Sequence, residues 1–390
     1  MSGTTRRKPG RLGPFVEGYR IRLLELGYTP GTVRGMLKVL GQLGRWMDDE
    51  NVEPGQLDLA AVEAFLAARR AGEDRRVASL GELRQLLAHL REVGVMVSAE
   101  EPREPTPLER LIADYREWMV DERGLASATV LRYEKLARRF LGERVAAEGE
   151  RGVGNLTGAE VSAFLVGECT RVSLGAAKGR VAELRSLLRF LHLRGMTELA
   201  LADSVPSPAG WRETSVPQTI SRENVERLLG CCDRTRLDGM RNFAILTLLA
   251  RLGLRSIEVA RLELDDLDWR RGETLVRGKA RRQDRLPLPG DVGEALADYL
   301  SLRSPHKARQ VFLTLRAPTR PIRAELVGDV VRRACDQAGV PQVGAHRLRH
   351  ALASELLREG ASLIDISQVL RHRDLATTAV YAKIDLGRLR

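Results

Sequence analysis

Six side chains in this sequence are of types that handle phosphate esters: Arg255, Lys279, His346, Arg349, His372 and Tyr381. A phosphodiester is an anion and repels nucleophiles, so its phosphorus becomes attackable only when its two non-bridging oxygens are held and neutralised. Arginine suits that task, because its planar fork donates two parallel bonds and stays protonated at any working pH. Arg255 and Arg349 would grip the two oxygens and stabilise the extra charge of a five-coordinate transition state. Tyr381 is the candidate nucleophile. A free phenol titrates near pH ~10, so it must lose its proton as it attacks, and His346 is the candidate general base. Lys279 would protonate the departing 5′ oxygen, and His372 would hold a phosphate oxygen or position the tyrosine. The product would be a covalent phosphotyrosyl link that stores the bond energy. This chemistry needs no metal and no nucleotide cofactor.

Each residue also has a plainer reading. Arg255 could be an internal ion-pair partner of Glu258 or of an aspartate in "LDDLDW", and the Lys279 turn, with Arg281, Arg282 and Arg285, could simply be solvated. A single Tyr in a helix is most often core packing. His346 and His350 are four apart, as on a zinc helix, but the metalloprotease pattern needs Glu after the first His. Here that residue is Arg347, and the metal reading is rejected.

These residues must be positioned by the last third of the chain. "RNFAILTLLARLGLRSIEVARL" (241–262) begins as an apolar helix, breaks at Gly253 and restarts with Ser256 as a candidate N-cap, leaving Arg255 in the break. "ETLVR" and "DRLPL" read as two short strands joined by a Gly- and cation-rich turn that carries Lys279. "GAHRLRHALASELLREG" (344–360) reads as an amphipathic helix with an apolar stripe of Leu348, Leu352 and Leu356, and it puts His346 and Arg349 on one face.

Upstream, two proline-rich stretches, 99–107 and 204–217, read as linkers. They divide the chain into a basic flexible tail (1–13), a first helical module (14–98), a second (106–203) and a C-terminal domain (218–390). The two modules are a tandem duplication: "VEAFLAARR" (62–70) matches "VSAFLVGEC" (161–169), and "GELRQLLAHLREVGVM" (81–96) matches "AELRSLLRFLHLRGMT" (182–197). "GYTPGTVRGMLKVLGQL" (27–43) lines up with "GLASATVLRYEKLARRF" (124–140). Each is expected to be a bundle of about four helices. In the second, Thr129, Arg132, Lys135, Lys178, Arg180 and Arg185 are candidate DNA contacts, as are Arg281 and Arg282 of the cationic turn, which could enter a DNA groove, with ordinary solvated faces as the alternative.

The net charge of +11 points to an anionic partner, nucleic acid first. The four cysteines, Cys169, Cys231, Cys232 and Cys335, form no C-x-x-C pair and read as reduced thiols. No apolar run approaches the ~18 residues of a membrane span, and the N-terminus lacks a signal-peptide core. The expectation is a soluble, cytoplasmic, nucleoid-associated protein with no membrane partner.

"GLRSIEVARL", "RGKARRQDRLPLP" and "AHRLRHALASELLREGASLIDISQVLRHRDLATTAVYAKI" resemble, in order and spacing, the first-arginine box, lysine hairpin and second box of the tyrosine recombinases, the phage-integrase family that includes the Xer recombinases. The resemblance is dense over about 240–384. It implies a mainly α chain with a small β-hairpin or sheet in an α+β catalytic domain, preceded by two SAM-like helical modules. The second module would be the core-binding domain of a C-shaped clamp on duplex DNA. The resemblance further implies site-specific recombination through a 3′-phosphotyrosyl intermediate at Tyr381, a Holliday junction, a tetramer at synapsis, and integration or transposition among the uses. Two features depart from it: the extra module at 14–98, which would take accessory DNA or neighbouring protomers, and the short segment of nine residues after Tyr381, where relatives dock a longer terminal helix on the next protomer. The competing readings are a type IB topoisomerase and a catalytically idle DNA-binding regulator on the same fold.

Overall fold

The computed structural model describes residues 9–71, 80–96, 104–148, 151–170, 172–206, 220–278 and 283–371. Its helices are α1 (Val16–Glu25), α2 (Pro30–Asp49), α3 (Leu59–Ala71), α4 (Leu80–Glu92), α5 (Pro107–Glu117), α6 (Ser127–Glu148), α7 (Arg151–Gly154), α8 (Gly158–Cys169), α9 (Leu174–Leu193), α10 (Arg222–Gly230), α11 (Leu237–Arg251), α12 (Ser256–Arg261), α13 (Gly290–Leu302), α14 (Ala324–Ala338), α15 (Ala345–Arg358) and α16 (Leu363–Leu370). Three short strands, β1 (Leu267–Asp268), β2 (Glu273–Arg277) and β3 (Gln283–Pro287), form an antiparallel sheet in sequence order. The chain is mainly α with a small sheet, as the pattern predicts, although β1 adds a strand that the two-stranded reading did not contain.

The duplication is visible element by element. α2, α3 and α4 of the first module correspond to α6, α8 and α9 of the second, at the spacings of the sequence matches. Gly94 and Gly195, which those matches pair, both close the last helix of their bundle with a left-handed backbone, φ 72° and 69°. Such a turn strains any residue with a Cβ. The helical periodicity of leucines becomes core packing in both copies. Leu83, Leu86, Leu87 and Leu90 are buried in one cluster, and Leu184, Leu187, Leu188 and Leu191 in another.

The tail boundary needs correction. Gly10–Phe15 is a 3-10 helix whose Leu12 is 0% exposed in the first module's core, so of the expected tail only residues 1–8 lie outside the described residues. Burying one leucine contributes about 2 kcal/mol, enough to hold this segment down.

By contacts the chain falls into two compact units, residues 100–212 in one and residues 1–99 with 213–390 in the other. Within the latter, the Thr319 N–H donates to Leu26 O (2.7 Å), and Lys307 Nζ lies 2.9 Å from a Glu25 carboxylate oxygen. The C-terminal part has its own core, in which α11 packs on α13 and α15, and α14 packs on α10 and α12. A buried ring pair, Tyr299 and Phe312, stacks at 5.5 Å within it.

Candidate active site

Helix α11 is buried along most of its length, from Ala244 to Ala250, because the run "AILTLLA" leaves no polar face. The break that follows is dictated by space. Gly253 takes φ 56°, and a Cβ there would meet Leu370 Cδ2 at 2.9 Å and Leu352 Cδ2 at 3.1 Å. Crowding and the left-handed backbone together favour glycine, and the chain turns there under the α15–α16 corner and presents Arg255 at its mouth.

Arg255, not Ser256, is the residue that caps α12. Its backbone N–H donates to Glu258 Oε2 (2.9 Å) and its Nη1 to Glu258 Oε1 (2.7 Å). The ion pair weighed as the plain reading of Arg255 is therefore present, and its geometry serves the other reading as well. The side chain keeps 31% exposure, and its Nε makes no hydrogen bond among the described residues. A guanidinium held by one edge and open at another is oriented toward what comes from solvent.

Glu258 is the hub of the site. It is 3% exposed and also accepts from Arg371 Nη2 at 2.9 Å. Burial pushes its carboxyl up, but the charge of Arg371 and the donors of Arg255 outweigh that and hold it below the usual carboxylate range. Arg371 is 6% exposed and closes α16 with φ 54°, ψ 46°. A left-handed backbone costs a residue with a Cβ about 1–2 kcal/mol, a cost opposed here by the ion pair that only a long cationic side chain can reach. Sequence reasoning assigned no role to Arg371 and treated Glu258 only as an alternative partner. The available signals were the position of Glu258 three residues after Arg255, where a capping carboxylate sits, and the position of Arg371 directly before His372.

Arg349 comes from α15 and is 2% exposed. Its Nη1 donates to Gly253 O and its Nη2 to Leu370 O. Arg255 Nη2 lies 3.5 Å from Arg371 O. The two arginines that the sequence puts 94 positions apart are thus bound to the carbonyls of adjacent residues, Leu370 and Arg371.

His346 is in the first turn of α15, one turn before Arg349 on the same face. Burial, then the positive charges of Arg349 and Arg255, hold its imidazole below the ordinary range, with Glu258 opposing. These surroundings favour the neutral imidazole, the form that can accept a proton. The His350 ring, 5.9 Å away, is pushed down to about 4, by burial first and then by His346, Arg347 and Arg349. In the unfolded chain both imidazoles return to about 6.5. As pH falls below that value the unfolded chain takes up protons that the folded chain refuses. Stability should be full above pH 6.5 and decline between there and about 4. Thermal unfolding against pH checks this, and His350→Asn should flatten the decline.

Of the six predicted residues, the structure brings Arg255, His346 and Arg349 together. Lys279, His372 and Tyr381 lie outside the described residues, as do Arg281 and Arg282. The hairpin strands that flank Lys279 pair in register, with Arg277 opposite Gln283 and Leu275 opposite Arg285. Arg285 is in β3 and pairs across the sheet with Glu273 (3.3 Å), so it does not belong to the turn where the sequence reading put it.

In the second module, Arg132 and Arg180 converge on one buried carboxylate, Glu183, at 2.8 and 2.9 Å. Arg185 Nη2 donates to Val205 O at 2.7 Å. Lys135 is exposed, Thr129 half-buried, and Lys178 also has an interaction partner. Glu183 thus offsets part of a cationic face that composition alone makes look uniform.

Residues 218–387 match the model of the phage integrase family. A putative integrase/recombinase of Sinorhizobium fredii, y4rA, is 38% identical over 386 residues, covering 97% of this chain and 91% of that protein. The tyrosine recombinase XerD of Mycobacterium tuberculosis is 30% identical over 296 residues, covering 71% of this chain and 93% of its own. The crystal structure of the XerH site-specific recombinase bound to palindromic difH, a post-cleavage complex, shares the fold at 20% identity, with a TM-score of 0.54 over 74% of this chain and 96% of that one. The chain belongs to the phage integrase family and is a tyrosine recombinase, an enzyme of site-specific DNA recombination.

Proposed function

We propose that this enzyme cleaves and rejoins duplex DNA through a 3′-phosphotyrosyl intermediate at Tyr381. The observation that carries the reading is the convergence of Arg255 and Arg349 on the Leu370–Arg371 corner, with His346 one turn before Arg349 on α15, directly before the segment that holds His372 and Tyr381. Arg255 and Arg349 bind the non-bridging oxygens of one phosphate. The phenol oxygen of Tyr381 attacks phosphorus while its proton goes to His346. The bond to the 5′ oxygen breaks, and Lys279 supplies the proton that this oxygen needs; His372 supports the phosphate or the ring. One phosphoester bond forms for each one broken, so attack by another strand's 5′ hydroxyl reverses the step without an external energy source. Repeated between paired duplexes, this gives strand exchange through a Holliday junction, with four copies of the chain at synapsis.

In this reading residues 218–390 are the catalytic domain and 106–203 a DNA-binding module, with Arg132, Lys135, Lys178, Arg180, Arg185 and Thr129 on its candidate face. Residues 14–98 add a further module of the same ancestry, and Arg281 and Arg282, next to Lys279 in the sequence, are further candidate DNA contacts. The test is trapping on a nicked suicide substrate that carries the target site. Wild type should accumulate a covalent protein–DNA adduct and Tyr381→Phe none. An undiminished adduct from Tyr381→Phe would place the nucleophile elsewhere.

A further inference from the structure

A second cationic site lies at the other end of α11. The catalytic corner follows the C-terminus of that helix, whereas a cleft of about 970 Å³ opens at its N-terminus, between Arg236–Arg241, the 314–320 turn and α14. A helix of 15 residues is roughly 22 Å long, so the two places are separate. Among the described residues, five arginines line the cleft, Arg236, Arg241, Arg316, Arg320 and Arg333, against one carboxylate, Asp238.

The charge imbalance is sharpest at Arg241. It is 5% exposed, yet among the described residues its guanidinium donates only to neutral oxygens: Asn242 Oδ1 at 2.9 and 3.3 Å, and Leu313 O at 3.3 Å. Burial, and the charge of Arg333 beside it, push its guanidinium below the ordinary range, with Tyr299 and Asp238 opposing. Asp238, the only acid of the lining, is itself paired with Arg236 (3.2 Å) and exposed. A buried cation without a carboxylate is costly. Arg316 and Arg320 are exposed and make no side-chain hydrogen bond or ion pair among the described residues. The N-terminal end of α11, which has no side-chain cap among the described residues, adds its first N–H groups and the positive end of its dipole.

We infer that this cleft is a phosphate-binding site distinct from the catalytic corner. Its arginines take the phosphate groups of a DNA segment away from the cleaved step, or of a free phosphate-bearing anion. Arg241 is the buried anchor, and Arg316 and Arg320 are the reach into solvent. This does not depend on the identity of the nucleophile, and its tests involve no cleavage.

Two arms separate the sources. In the first, a random-sequence duplex of about 40 base pairs is titrated with the full chain at several salt concentrations. Each phosphate neutralised contributes about 0.9 to the slope of log affinity against log salt, so Arg316→Gln/Arg320→Gln should lower the slope by roughly 1–2 if DNA is the ligand. In the second, inorganic pyrophosphate is titrated by calorimetry, and binding to wild type that the double variant loses marks a free anion. A change in either arm supports the site and names its source. An unchanged slope together with no pyrophosphate binding overturns it. Arg241→Met tests the anchor. It should lose the same binding while unfolding within a few degrees of wild type, because the charge removed has no carboxylate partner among the described residues and the main loss is the donor to Leu313 O. If Arg241→Met unfolds well below wild type, Arg241 is a structural tie and not an anchor; the double variant then decides the site alone.

Discussion

Arg349→Ala should bind target DNA with near wild-type affinity and cleave it about 10²–10³-fold more slowly. Losing one donor to a developing oxyanion costs ~3–4 kcal/mol at the transition state, and each 1.36 kcal/mol is a factor of ten. The structure adds a second consequence. Arg349 ties Gly253 O to Leu370 O in the interior, so truncation takes from two buried carbonyls the side-chain donor they have among the described residues, each loss costing about 1–3 kcal/mol. The variant should therefore also unfold at a lower temperature. Arg349→Lys separates the two effects, because it keeps the charge but cannot bridge both carbonyls and hold a phosphate oxygen at once. Single-turnover adduct formation on a suicide substrate, beside equilibrium binding and thermal unfolding, reads all three quantities. A cleavage rate within a few-fold of wild type in a folded Arg349→Ala would remove this residue from the proposed chemistry.

The largest stability loss is expected at a residue that need never touch DNA. Glu258→Ala strips the carboxylate from Arg371, which is 6% exposed, and from the capping position of α12. Breaking a buried ion pair by removing one partner costs about 3–5 kcal/mol, which in a domain of this size corresponds to roughly 10 °C in unfolding temperature. Arg371→Gly alone should cost less than Glu258→Ala: it leaves Glu258 buried, but Arg255 still binds that carboxylate through both backbone and side chain, and glycine relaxes the left-handed backbone. The double variant should recover part of the loss, since it buries no unpaired charge, so the two effects should be clearly less than additive. Additive losses would mean that the two side chains do not depend on one another. Cleavage should fall in every variant lacking Glu258, because Arg255 then loses the partner that orients it.

Several features follow from the order of residues alone. Helical repeats with matching leucines fold as two equivalent bundles because a period near 3.6 admits one apolar face, and that face must be covered. The apolar run before Gly253, the strands on either side of the Lys279 turn and the amphipathic helix carrying His346 and Arg349 are local patterns, and each became the element its pattern predicts. Residue types in this order also suit phosphate-ester chemistry, and the resemblance of the three boxes that carry them to the tyrosine recombinases made that reading specific.

Other features required the folded chain. The ends of helices shift with cap chemistry, which is why Arg255 and not Ser256 opens α12, and why the basic N-terminus is packed from Gly10 onward. Net charge does not reveal which cations are already paired, so Arg132 and Arg180 looked equivalent to Lys135 until Glu183 was found between them. Glu258 joins Arg255 to Arg371 across 113 positions, and Gly253 and Leu370 meet through Arg349. Contacts between residues so far apart in the chain depend on the path of the backbone through the core. Periodicity and spacing report neighbours along one element, whereas the burial that makes a carboxylate worth two arginines arises only when separate elements close over it.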